Sequence, residues 1–239
     1  YDNAIISFEH ALRIDEKSIE ANLNYATLLG DIGKYNEAES YIEKVLKIDP
    51  KINAAISNLL LMSNYSSENC KKYISELHKK NGNLIENNFQ LLNPLKFSNL
   101  EDKVKEKINI GFVSADLHQH SITYFLEPLL KNFNKDEFSV SCFSNSFFTD
   151  HVTKRIKSLA DYWYEVAPLN NIQLSKLINE KKIDVLIDLS GHTEGNRMPV
   201  FAMKPSKIQM TWLGYPNTTG MKSIDYRIVD NYTDPENLN

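Results

Sequence analysis

The chain has 239 residues, of which 42% are hydrophobic and 24% charged, with a net charge of −4; this is ordinary for one large or two modest globular domains. The mildly acidic balance excludes a mainly electrostatic nucleic-acid binder, because such domains are strongly basic, and the pairs Lys79-Lys80 and Lys181-Lys182 read as solvated faces. The longest apolar runs, such as Leu59–Met62, are far too short to span a bilayer, and the opening Tyr-Asp-Asn carries no signal-peptide pattern. Cys70 and Cys142 are too few and too far apart for a disulfide framework or a zinc site and fit a reducing compartment. These features predict a cytoplasmic protein with no nucleic-acid and no membrane partner. The chain opens inside a helical pattern without Met and stops at Asn239 with no closing element, so it reads as a piece of a longer protein.

The first fifteen residues match a later stretch at an offset of 34. Tyr1 pairs with Tyr35, Ala4 with Ala38, Phe8 with Ile42, Ala11 with Val45, Leu12 with Leu46, Ile14 with Ile48 and Asp15 with Asp49. Between them, Ile19–Leu29 forms an apolar helix, Gly33 marks a turn and Pro50 closes the second helix. A 34-residue helix-turn-helix period resembles the tetratricopeptide repeat, in which small Ala positions let helices approach and aromatic rings fill the holes. Glu16 stands where that repeat usually has Pro. A third repeat starts at Asn53 with the apolar helix Ala54–Met62 and then degrades. Residues 66–80 predict one more helix, and the Asn- and Lys-rich stretch 81–103, with Pro94, predicts a linker.

At Lys107 the texture changes. Apolar strands are predicted at Ile108–Val113, Phe138–Phe143, Tyr162–Val166, Ile183–Leu189, Ile208–Leu213 and Tyr226–Val229, with helices at Ile122–Phe133, Val152–Leu159 and Ile172–Glu180. Nearly continuous apolar strands alternating with helices indicate a parallel sheet covered on both faces. The expected organisation is tetratricopeptide repeats over 1–64, a helical connection or linker over 65–106, and a Rossmann-like α/β domain over 107–239.

In open parallel sheets, ligands bind beyond the carboxyl ends of the strands. Three loops there carry small, polar, backbone-permissive residues: 114–121 after the first strand, 190–197 after Ile183–Leu189, and 214–220 after Ile208–Leu213. His120 is either a general base or a loop histidine helping to cap the next helix. His192, directly after Gly191 at a strand end, is either functional or a surface loop residue. His118 and Asp116 read as structural, and His10, His78 and His151 as helical or linker surface. The sequence lacks a G-x-G-x-x-G fingerprint, a P-loop, a D-x-D, a nucleophile elbow and any His/Cys cluster at ligand spacing, so no metal site is predicted.

The stretches 110–120 (Ile-Gly-Phe-Val-Ser-Ala-Asp-Leu-His-Gln-His), 188–193 (Asp-Leu-Ser-Gly-His-Thr), 201–220, with its Trp-Leu-Gly-Tyr-Pro-Asn-Thr-Thr-Gly, and 225–230 (Asp-Tyr-Arg-Ile-Val-Asp) resemble the O-linked N-acetylglucosamine transferase family. The match to Gly-His-Thr and Asn-Thr-Thr-Gly is nearest its bacterial and plant branches. The resemblance implies the first Rossmann-like half of a GT-B enzyme. Such an enzyme is inverting and metal-independent, takes no cofactor, and transfers a sugar, N-acetylglucosamine from UDP-GlcNAc, to Ser or Thr of proteins that the repeats guide. It further implies that His120 lies near the acceptor and that His192 lines the same cleft. Gly191 and Thr193, with Leu213, Gly214, Pro216 and Thr218, would shape the sugar pocket. O-fucosyl transfer from GDP-fucose, glucosyl transfer to Asn, and, for the piece itself, a non-catalytic repeat-based binding module are the alternatives.

Overall fold

The computed structural model describes residues 1–66, 70–90 and 106–234. They divide into two compact units, Tyr1–Leu84 and Ile85–Asn239.

The first unit is helical: α1 (Asp2–Ile14), α2 (Ile19–Asp31), α3 (Tyr35–Ile48), α4 (Asn53–Ser63) and most of α5 (Lys71–Phe89). Its core holds Ala26, Ala38 and Ala55, all fully buried, where a larger residue would hold the helices apart. Around them pack Leu29, Ile42 and Val45, and Tyr25 stacks on Phe8 at 5.9 Å and meets Tyr41 edge-on at 4.9 Å. The small-and-aromatic pattern read at the 34-residue offset is thus the pattern of the helix contacts. Two expectations need correction. The Asn-rich stretch after Lys80 is not linker up to Phe89, because α5 continues through it; a stripe of buried residues at His78, Asn81 and Ile85 supplies one-sided burial that overrides the weak helix propensity of Asn. His78 is accordingly not a surface residue. It is fully buried, with Nδ1 2.7 Å from the Ile74 carbonyl, and desolvation lowers its pKa. Residues 91–105 of the expected linker lie outside the described residues.

The second unit carries a parallel sheet of β1 (Ile108–Ser114), β2 (Phe138–Ser144), β3 (Tyr162–Glu165), β4 (Val185–Asp188), β5 (Ile208–Trp212) and β6 (Tyr226–Ile228), in the order β3-β2-β1-β4-β5-β6. Between strands run α6 (Ser121–Asn132), α7 (His151–Leu159), α8 (Asn171–Glu180) and the short α9 (Met198–Ala202). Phe112 of β1 faces Cys142 of β2 and Ile187 of β4 across the ladder, at the centre of the main apolar cluster. Both Phe112 and Cys142 are fully buried, as a strand covered on both faces requires. The order reverses at β1: one crossover series moves outward through β2 to β3, the other through β4 to β6. In open α/β sheets such a switch point is where ligands bind, outside the carboxyl ends of the strands. Phe112→Ala should destabilise the protein by about 3–5 kcal/mol, the usual range for emptying a buried aromatic site; urea denaturation of the two proteins measures it.

Candidate active site

Because every strand is parallel, the turns after β1, β4 and β5 all leave one edge of the sheet, and the β1 and β4 turns flank the switch point. Asp188 organises the edge. It ends β4, pairs in register with Thr211 of β5, and is fully buried. Its carboxylate accepts from the Ser190 N–H (3.1 Å), the Gly191 N–H (2.7 Å) and the Thr211 hydroxyl (2.7 Å). One side chain therefore folds the β4 turn back on itself and fastens it to the next strand. Burial pushes this carboxyl up to about 6, against three hydrogen bonds that favour the charged form.

The β4 and β5 turns also interlock through two glycines. Gly191 has φ +57°, and a Cβ there would lie 2.2 Å from Cβ of Tyr215. A Cβ on Gly214 would lie 1.8 Å from the Leu189 carbonyl oxygen, so backbone meets backbone with no room for a side chain. Leu213 takes φ +65°, a costly conformation for a residue with a side chain. His192 is buried between the turns: its Nε2 lies 2.9 Å from the Thr219 carbonyl and its ring meets Tyr215 edge-on at 5.2 Å. A carbonyl only accepts, so the proton sits on Nε2 and is given to the protein itself. Thr193 likewise turns inward, donating to the Ser190 carbonyl at 2.9 Å. Thr218 accepts from the Gly220 N–H at 3.1 Å, and Pro216 is exposed. Leu213 and Pro216 line a pocket of about 320 Å³ with Trp212, Tyr215, Arg227 and Asp230; His120 and His192 do not line it.

His120 stands on the other side of the switch point as the N-cap of α6, its Nδ1 accepting from the Ile122 N–H at 3.4 Å. In the neutral ring Nε2 then carries the proton. Ala115 brings this turn against the β4 turn, its Cβ 2.7 Å from where a Cβ on Gly195 would lie. Two organising residues escaped the sequence reading. Asp188 opens the 188–193 motif, and a lone charge closing an apolar strand is a signal of a buried, bonded carboxylate. Arg197 spans the rim, donating to Asn145 Oδ1 (2.7 Å), Asn171 Oδ1 (2.9 Å) and the Leu169 carbonyl (2.9 Å), and its only early sign is its place after a Gly-Asn turn. Among the described residues no group of three or more His, Cys, Asp or Glu is placed to hold a metal, and no helix is long and apolar enough to cross a membrane.

The family model for glycosyl transferase family 41 matches residues 62–239. The chain belongs to that family. A tetratricopeptide model matches residues 19–52. Among relatives, a Solanum lycopersicum protein named "Probable UDP-N-acetylglucosamine--peptide N-acetylglucosaminyltransferase SPINDLY" is 36% identical over 197 residues, covering 80% of this chain and 21% of its own length. The Arabidopsis thaliana protein of the same description with the name SEC is 33% identical over 132 residues, covering 54% of this chain and 13% of its own. The chain therefore spans about a fifth or less of the length of these curated relatives. A solved structure of a Thermobaculum terrenum O-GlcNAc transferase mutant matches with a TM-score of 0.84 at 28% identity, over 93% of this chain and 42% of that one. The repeats and the parallel-sheet domain expected from the sequence are thus those of this family.

Two variants test the interlock. Gly214→Ala should destabilise the second unit by about 3 kcal/mol or more, since its clash is with backbone that cannot swing away; chemical denaturation measures it. Asp188 gives a pH signature. The folded protein holds its proton more tightly than the unfolded chain, so the stability from its protonation is complete below the ordinary value of 3.8 and is lost as pH rises through about 6. The stability difference between the parent and Asp188→Asn should therefore shift against the parent by roughly 2 kcal/mol between pH 4 and 7. A difference that stays flat would contradict this account of the carboxyl.

Proposed function

We propose that this chain supplies the repeat platform and the first α/β half of a GT-B protein O-glycosyltransferase. In this reading it moves N-acetylglucosamine from UDP-GlcNAc to Ser or Thr of proteins, with inversion and without a metal. The observation that carries the reading is the gathering of the β1, β4 and β5 turns along one sheet edge across the switch point, in a chain of a glycosyl transferase family. The relatives' names supply the donor and the peptide acceptor.

In an inverting transfer the acceptor oxygen attacks the anomeric carbon opposite the nucleotide, the carbon–oxygen bond to the pyrophosphate breaks, UDP leaves with that electron pair, and the hydroxyl proton passes to a phosphate oxygen of the departing UDP or to water. Alignment of the weak hydroxyl nucleophile contributes much of the rate. The Leu213–Pro216 turn offers a shaped wall for the sugar, and the Gly191–Thr193 turn, held by Asp188, sets that wall's position. His120 fits an orienting part better than a base's part. With Nδ1 engaged by Ile122, its Nε2–H can donate to the acceptor oxygen, whereas taking the proton at Nδ1 requires release of the helix cap. His192 acts here by bridging two turns, because its proton is committed to Thr219. The repeats offer a surface that guides protein substrates.

The test is to assay the intact protein with Ser/Thr peptides and UDP-GlcNAc, GDP-fucose or UDP-glucose. Transfer of N-acetylglucosamine is expected; preference for GDP-fucose would reassign the donor, and peptide binding without transfer from any of the three would leave a binding module. His120→Asn keeps a good helix cap but removes the imidazole. It should lower kcat/KM at least tenfold, and near-normal turnover would reduce His120 to a cap.

A further inference from the structure

Two adjacent aromatic rings on the β2–α7 loop take no part in the core. Phe147 is 85% exposed and Phe148 60% exposed. The loop that holds them is fixed from both sides. The Ser146 hydroxyl accepts from the Phe148 N–H at 3.0 Å and donates to its carbonyl at 3.3 Å. Just beyond, Asp150 caps α7 through the Thr153 N–H (2.8 Å) and accepts from the Gln119 N–H (2.7 Å) of the β1 turn. The rings are thus tethered to the turn that bears His120. The Phe148 ring meets the His118 ring edge-on at 5.7 Å, and His118 meets His120 at 6.0 Å. Exposed single apolar residues are common, but a paired, backbone-fixed aromatic surface continuous with a candidate reaction edge points to an occupant.

We propose that Phe147 and Phe148 form an acceptor-specificity subsite, which grips an apolar side chain of the polypeptide whose Ser or Thr lies at His120. This deepens the transferase reading and rests on it. The two ring contacts set Phe148 within about 12 Å of His120, and an extended chain advances about 3.3–3.6 Å per residue, so the gripped side chain lies at most about four residues from the acceptor hydroxyl. Rigid aromatic rings suit this work, because they offer large contact area with few side-chain torsions to fix.

The experiment pairs fluorescein-labelled Ser/Thr peptides that carry Leu or Ala at each position within four residues of the acceptor on either side. Their affinity for the intact protein is measured by polarisation, and transfer from UDP-GlcNAc is measured in parallel. Leu at one position within about four residues of the acceptor should bind about tenfold more tightly than Ala, and a Phe147→Ser/Phe148→Ser variant should lose that preference while keeping its melting temperature. A preference that survives in the variant, or no preference at any position in the parent, overturns the subsite. Preference without any transfer would support the subsite while retiring the transferase reading.

Discussion

The carboxyl edge of the sheet depends on the Asp188 carboxylate. Burying a charge is expensive unless several donors converge on it, and here two backbone amides from its own turn and a hydroxyl from the neighbouring strand do so. The amides bend the chain immediately after β4, and that bend allows Gly191 to receive Tyr215 and the Leu189 carbonyl to receive Gly214. Once the two turns are pressed together, His192 is enclosed and satisfied by Thr219. The shape offered beside Leu213 and Pro216 follows from this sequence of contacts.

Much of the architecture was legible because its signals are local or periodic. The offset of 34 between Tyr1 and Tyr35 is a repeat of helix contacts, and the apolar run Val185–Ile187 of β4 lacks polar alternation because both sheet faces are covered, whereas β5 alternates and buries its polar Gln209 and Thr211. Parallel strands then place the following loops on one edge without further information. What stayed hidden depends on burial from elsewhere in the fold. The Asn-rich end of α5 has weak helix propensity, and only its buried stripe makes it a helix. His78 looked like a surface residue for the same reason. The five-residue α9 is buried throughout, so no periodicity distinguished it from the neighbouring strands.

The candidate site was legible by position more than by role. The sequence alone left His120 open between base and cap, and the structure shows the cap in place through Ile122. The imidazole keeps one proton-bearing nitrogen outside that bond, so a cap and an orienting donor are compatible in one residue, whereas a cap and a base compete. For His192 and Thr193 the polar atoms turn inward to the loops that carry them. The side chains of the β4 turn therefore hold the turn itself. Glycine at 191 and 214 is a steric requirement at this edge.

In the proposed function the turns bearing His120, Gly191 and Gly214 wall one sugar-transfer crevice. A crystal structure of the intact protein with UDP-GlcNAc tests it most directly. The account predicts the sugar ring in van der Waals contact with the Leu213–Pro216 turn, on the side of the switch point that His120 faces across. A nucleotide sugar bound away from the carboxyl edge of this sheet, with all three turns bare, would contradict it.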